Sequence, residues 1–238
     1  MAGSWEVTSG HIQVSILHTW DMHPDFVLSM LRMQKAPFGK PVRVSYNWQH
    51  GMPFDLGRNL AAKEFLNSDA EWLFFVDSDI IMPPRVLEML LEHNMPIVGG
   101  LYWRRHPPTH PMAYKFKEGS GTQMDPLQIN QISPMLTEVD GIGAGCLLIH
   151  RRVFEALKNS VRKMIIPHEG YNTEVYEFFK YAATEPPYLS EDLYFSLICR
   201  LANFKIYVDA SVNCGHIVST AMLKDGQVKW TPLETGGQ

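Results

Sequence analysis

The sequence predicts an α/β fold: a single domain with a mainly parallel central sheet flanked by helices. Three observations predict it. The run Trp72-Leu73-Phe74-Phe75-Val76 is continuously bulky and apolar, the pattern of a strand buried on both faces of a sheet. Strand-like and helix-like segments alternate as far as Tyr102, an order that implies parallel strands joined by helical crossovers. With 238 residues, 45% hydrophobic and 11% aromatic, the chain can build one substantial core, whereas two independent domains would be cramped.

Each element has a local reason. Val14 to Leu17, flanked by His11 and Ile12, reads as the first strand. Asp21 is placed to cap a helix from Pro24 to Met33, with proline in its first turn. Pro41 to Tyr46 reads as the second strand, and Asn47 to Phe54 as a loop with Gly51 and Pro53. Asp55 opens a helix whose Leu56, Leu60, Ala61 and Phe65 recur at helical spacing. The apolar strand follows, then a helix over Pro84 to His93 and a strand over Met95 to Tyr102.

Beyond Trp103 the character changes. Arg104 to Pro134 is rich in Pro, Gly, His and Gln, with only Met112 to Phe116 strand-like; so long an irregular stretch is usually functional. Regular structure returns at Gly143 to His150 and in a helix from Arg152 to Leu157. Met164 to Pro187 reads as a second loop, rich in Tyr, Phe and Glu. Ser190 then begins a helix, Phe204 to Val208 forms a strand, and Val212 to Ile217 a short one. The tail to Gln238 is expected to be thinly packed apart from Val228 and Trp230.

Composition excludes several classes. A net charge of −4 supplies no global field for nucleic acid, so a polyanionic partner needs a local basic patch. Cys146, Cys199 and Cys214 lie far apart in no metal-like or redox-like spacing and read as buried thiols of a reducing compartment. No signal peptide is visible, and no window approaches the roughly 20 apolar residues of a membrane span. A cytoplasmic location without a transmembrane segment is the expectation.

Asp77-Ser78-Asp79 carries the chemistry. Two carboxylates just past a buried strand project into the crevice where open α/β sheets bind ligands. At that depth they need positive partners, and a hard divalent cation bridging to phosphate is a natural one. Alone, the tripeptide is equally a turn before Pro83-Pro84. Arg58, near a helix N-terminus, is placed to meet a phosphate or a base, although in isolation a solvated surface role is the better reading. Ser190-Glu191-Asp192 reads first as an ordinary helix start, and His216 as a packed or solvated histidine with the capacity to ligate a cation.

The order of these features resembles the GT-A glycosyltransferases, family 2 in particular, over about Ile12 to Ile217. It runs Gly57-Arg58-Asn59, Asp77-Ser78-Asp79, Gly143-Ala144-Gly145, Glu191-Asp192, His216. The resemblance implies one Rossmann-like domain over 1–238. A nucleotide-sugar half would span about 11–103, an acceptor-side half about 104–217, and a tail 218–238. It implies Mn²⁺ or Mg²⁺ held by Asp77, Asp79 and His216, and a UDP- or GDP-sugar donor contacted by Thr19, Arg58, Asp77, Ser78 and Asp79. Asp192 would be the base of an inverting transfer, with Glu191 orienting the acceptor or supporting that base. A cation would stabilise the departing diphosphate, and a carboxylate would take the proton of the acceptor hydroxyl. An imidazole ligand tilts the choice towards Mn²⁺.

The chain also departs from that family. After the second strand only Asn47 stands where an acid usually holds the base, so base identity is open; Thr19 and Trp20 are candidates to help form that pocket. The Gln-x-x-Arg-Trp motif of processive synthases is absent after Asp192, which disfavours long polymer synthesis. On the acceptor side, Trp103 can stack on a sugar or base and Arg104-Arg105 can meet an anion. The acceptor stays open between a glycan, a small molecule and a modified nucleic acid. Tyr171 to Tyr188 is expected to be a lid. Two other readings are a nucleotidyltransferase that makes a nucleotide sugar and a non-catalytic nucleotide-sugar-binding module. The first lacks its Gly-rich, basic signature at His18 to Met22, and retention of all the acids and His216 disfavours the second.

Overall fold

The structure, a computed structural model, describes residues 10–18, 21–36, 38–39, 42–120, 122–168, 170–182, 189–222 and 228–231. The first half runs β1 (His11–His18), α1 (Pro24–Lys35), β2 (Arg43–His50), α2 (Phe54–Asn67), β3 (Trp72–Asp77), β4 (Ile80–Ile81), α3 (Val86–Glu92), β5 (Ile97–Leu101). Next come β6 (Ala113–Phe116), β7 (Met124–Pro126), β8 (Leu136–Val139), β9 (Gly141–Ile142), β10 (Cys146–His150) and α4 (Arg151–Leu157). Last are β11 (Lys163–His168), β12 (Tyr171–Tyr176), α5 (Glu191–Leu201), β13 (Ile206–Asn213), β14 (Gly215–His216), β15 (Ser219–Met222) and β16 (Val228–Thr231).

Seven strands form the central sheet in the order β2-β1-β3-β10-β5-β13-β8. β1, β2 and β3 are parallel, as are β5 and β13, so the sheet is mainly parallel and flanked by helices as expected. The expected run of consecutive crossovers breaks once. β10 is wedged antiparallel between β3 and β5, and its apolar Cys146 to Ile149 suits so central a place.

Strand alternation sorts the two cores. Leu73 and Phe75 of β3 join Ala61 and Phe65 of α2, Phe154 of α4 and Phe195 of α5. Trp72, Phe74 and Val76 face the other way, onto Phe26 and Met30 of α1 and Leu87 and Leu90 of α3. Each such Val, Leu, Met or Phe side chain contributes about 1.5–3 kcal/mol when fully buried. β1 has β2 on one side and β3 on the other, so the chain reverses its direction of winding there. Asp77-Ser78-Asp79 sits at the carboxyl end of that switch point, where open α/β sheets bind ligands.

Several local expectations are corrected. His23, not Asp21, caps α1, its Nδ1 accepting from the Asp25 N–H at 3.2 Å. β2 runs on through Asn47 to His50, because Asn47 and Gln49 find partners in Ser15 and Glu64 and need no loop. The stretch from Met164 is no loop either: β11 and β12 pair as a hairpin, turning at Gly170 with φ +80°. Phe178 and Phe179 behind it are buried, and the Asn59 amide bonds both the carbonyl and the N–H of Phe179, at 2.7 and 2.9 Å. A lid over Tyr171 to Tyr188 is therefore not what the structure shows as far as Ala182; residues 183–188 lie outside the described ones. Thr19 and Trp20 lie outside them too, as do the side chains of Val228 and Trp230.

Candidate functional site

Asp77 ends β3 in the same parity as Leu73 and Phe75, so its side chain falls on the α2 and α5 side of the sheet. Arg58 of α2 meets it there, Nη2 donating to both carboxylate oxygens at 2.9 and 3.1 Å. The same guanidinium donates from Nε to Glu191 at 3.3 Å and from Nη1 to the Ala144 carbonyl at 3.3 Å. Its carbon lies 5.3 Å from the Phe75 ring centre and 5.8 Å from that of Phe54. Arg58 is 2% exposed, so it is neither a solvated residue nor open to a nucleotide; it clamps α2, β3, the glycine turn and α5 together. Burial opposes the charge of Arg58, but Asp77, Glu191 and Asp192 hold it and raise its pKa. Burial pushes the Asp77 carboxyl up to about 6, against the pull of Arg58.

Asp79 stands outside the strand and turns elsewhere. β4 pairs with β14 and sets His216 opposite Ile80, and the Ile217 N–H donates to the Asp79 carbonyl at 2.8 Å. His216 Nε2 lies 3.2 Å from Asp79 Oδ2, while its Nδ1 is 2.6 Å from the Trp103 carbonyl. A carbonyl only accepts, so Nδ1 carries the proton and Nε2 faces the carboxylate, the arrangement typical of metal-ligating histidines. Arg105 Nη1 donates to the same Asp79 oxygen at 2.7 Å. Burial pushes the Asp79 carboxyl up, but His216 and Arg105 outweigh it and hold its pKa low. Burial likewise disfavours the imidazolium, and Asp79 reverses that to raise the pKa of His216.

This geometry tests the expected cation. Among the described residues, no three His, Cys, Asp or Glu side chains are grouped to hold a metal ion. Asp77 does not complete such a group because both its oxygens face Arg58. Asp79 and His216 fit a cation that draws its other ligands from phosphate oxygens and water, the usual habit of Mg²⁺ at phosphate sites. A cationic guanidinium already rests on Asp79.

Asp192 opens α5. Ser190 does not cap the helix through its side chain; its hydroxyl donates to Asp192 Oδ1, which also accepts the Leu193 N–H at 2.8 Å. Oδ2 has no hydrogen-bond partner among the described residues. Burial, then the charge of Glu191, pushes the Asp192 carboxyl up to about 6. Glu191 is held by Arg58 and by the Tyr181 hydroxyl. Asp192 and Asp77 both act on Tyr102, whose ring centre lies 5.6 Å from that of His216, so the end of β3, the start of α5 and β14 gather around this tyrosine.

Tyr102 is a member of the site that the sequence did not signal. Its hydroxyl accepts the Gly145 N–H at 2.9 Å. A Cβ on Gly143 would lie 2.2 Å from that hydroxyl oxygen, so the glycine turn is shaped around this ring. Trp103 is 38% exposed at the crevice rim, bridged to Pro111. Arg104 is exposed, with its N–H on the His110 carbonyl at 2.9 Å, and forms no salt bridge among the described residues. The Ser78 N–H donates to the Leu17 carbonyl at 3.0 Å, tying the aspartate turn to β1.

No protein-family model matches the chain, and no curated protein matches it in sequence. Among solved structures, A197 from STIV aligns over 92% of this chain and 93% of its own, at 16% identity and a TM-score of 0.53. TarS of S. aureus, residues 1–349, aligns over 85% of this chain and 58% of its own, at 12% identity and a TM-score of 0.45. At such identities the likeness is one of fold. No helix among the described residues is long and apolar enough to cross a membrane.

Proposed function

We propose that the chain is a glycosyltransferase that moves one sugar from a nucleoside-diphosphate sugar to an acceptor hydroxyl, with inversion. The observation that carries this reading is the grouping around Tyr102 of the Asp79–His216 pair and of Asp192, whose Oδ2 has no hydrogen-bond partner among the described residues. Asp79 and His216 would hold Mn²⁺ or Mg²⁺, which when bound supplies Lewis-acid stabilisation of the departing diphosphate.

The remaining work falls to the chain itself. Ser190 and the Leu193 N–H fix Asp192 through Oδ1 and leave Oδ2 to take the proton of the acceptor hydroxyl. A pKa of about 6 leaves that carboxylate ionised at neutral pH and more basic than an ordinary aspartate. Glu191 supports this base by anchoring the start of α5 to Arg58. Trp103 offers an aromatic face at the rim on which a sugar ring can stack. Holding donor and acceptor side by side supplies much of the remaining acceleration.

A screen of UDP- and GDP-sugars with Mn²⁺, followed by mass detection of hydrolysis or transfer, tests the reading. Donor turnover that collapses in Asp192→Asn while donor binding persists is the expected result. Wild-type protein that binds nucleotide sugars without turning any over would favour a non-catalytic module.

A further inference from the structure

We propose that Arg105 is the donor-side phosphate ligand of this site, and that it rests on Asp79 until a divalent cation takes that carboxylate. The inference builds on the glycosyltransferase reading and reassigns a residue expected on the acceptor side. Asp79 Oδ2 receives Arg105 Nη1 at 2.7 Å and faces His216 Nε2 at 3.2 Å, so an incoming cation and the guanidinium compete for one oxygen. They also repel each other. A cation arriving alone therefore has to displace Arg105, which weakens its binding.

The displaced guanidinium cannot go far. Residues 104–110 form a short loop closed at its base by the Trp103–Pro111 bridge, the Arg104 N–H on the His110 carbonyl and the Met112 N–H on the Tyr102 carbonyl. Arg105 thus stays beside Asp79, one-third exposed, with a planar fork that suits phosphate oxygens. Arg58 cannot take this role, being buried with Nε, Nη1 and Nη2 all bonded within the protein. A diphosphate arriving with the cation gives Arg105 a new anion in exchange for the old one. The contact that opposes the cation alone then favours the cation–diphosphate pair.

This predicts opposite signs from one substitution. Titration calorimetry of the whole chain would use Mn²⁺ alone, then Mn²⁺ with inorganic pyrophosphate, on wild type, Arg105→Gln, Arg105→Lys and Asp79→Asn. Arg105→Gln is expected to tighten Mn²⁺ alone roughly tenfold and to weaken Mn²⁺–pyrophosphate by a similar factor, with Arg105→Lys in between. Both affinities moving together, or neither moving, overturns the proposal while leaving the glycosyltransferase reading intact. Manganese binding that survives Asp79→Asn would sink the metal assignment itself, and this inference with it.

Discussion

Arg58 shows how one side chain organises the crevice without touching a ligand. It pairs with both Asp77 and Glu191 in a buried setting, so its removal strands two carboxylates. Arg58→Met is expected to cost about 3–5 kcal/mol, the penalty typical of breaking a buried ion pair. Chemical denaturation at unchanged slope measures it, and a loss below about 1 kcal/mol would contradict the clamp. Asp192 predicts a pH dependence. Its folded pKa of about 6 lies above the ordinary aspartate value, so the fold opposes its ionisation. That cost is absent below about pH 4, grows through pH 6 and is full at pH 8. Asp192→Asn keeps an oxygen for Ser190 and the Leu193 N–H while removing the charge, and should stabilise the protein by roughly 1–3 kcal/mol at pH 8. At pH 4 the two proteins should melt together; a gap independent of pH would refute the cause given. Wild-type turnover should fall as pH drops below about 6, since the protonated carboxyl accepts nothing.

At the scale of elements, the turn into β10 is fitted to the end of β5. Gly143 and Gly145 leave room for the Tyr102 ring, and the Ala144 carbonyl reaches Arg58. Gly143→Ala would press a methyl against the Tyr102 hydroxyl and should cost about 1–3 kcal/mol, the usual range for overpacking. That cost should shrink in a Tyr102→Phe background, where the hydroxyl is gone; equal costs in both backgrounds would place the strain elsewhere. The hairpin β11–β12 teaches a complementary lesson. Its residues alternate, but it stands apart from the central sheet, and a two-stranded ribbon has little core to declare it in sequence. Asn59 was visible as a neighbour of Arg58, yet its hold on Phe179 joins positions 120 residues apart.

For the whole molecule, loading of the crevice should register as stability. A ligand at a hundred times its dissociation constant adds about 2.7 kcal/mol to the native state. Mn²⁺ with pyrophosphate is therefore expected to raise the melting temperature by roughly 5–10 °C, and Asp79→Asn to abolish the rise. No shift in wild type under saturating conditions would speak against the site. The sequence by itself determined the layered α/β architecture, the buried third strand and the place of its acids at the crest, because each rests on periodicity and burial within one segment. Parity alone would put Asp79 on the same face as Asp77, Phe75 and Leu73; the two acids diverge because β3 ends at Asp77 and the chain turns through Ser78 and Asp79. Only the tertiary structure decided which cation each acid meets: Arg58 for Asp77, Arg105 and His216 for Asp79. The physical reason is separation along the chain. His216 reaches Asp79 across 137 positions and Arg58 reaches Glu191 across 133, and such encounters depend on how sheet, helices and the wedged β10 pack.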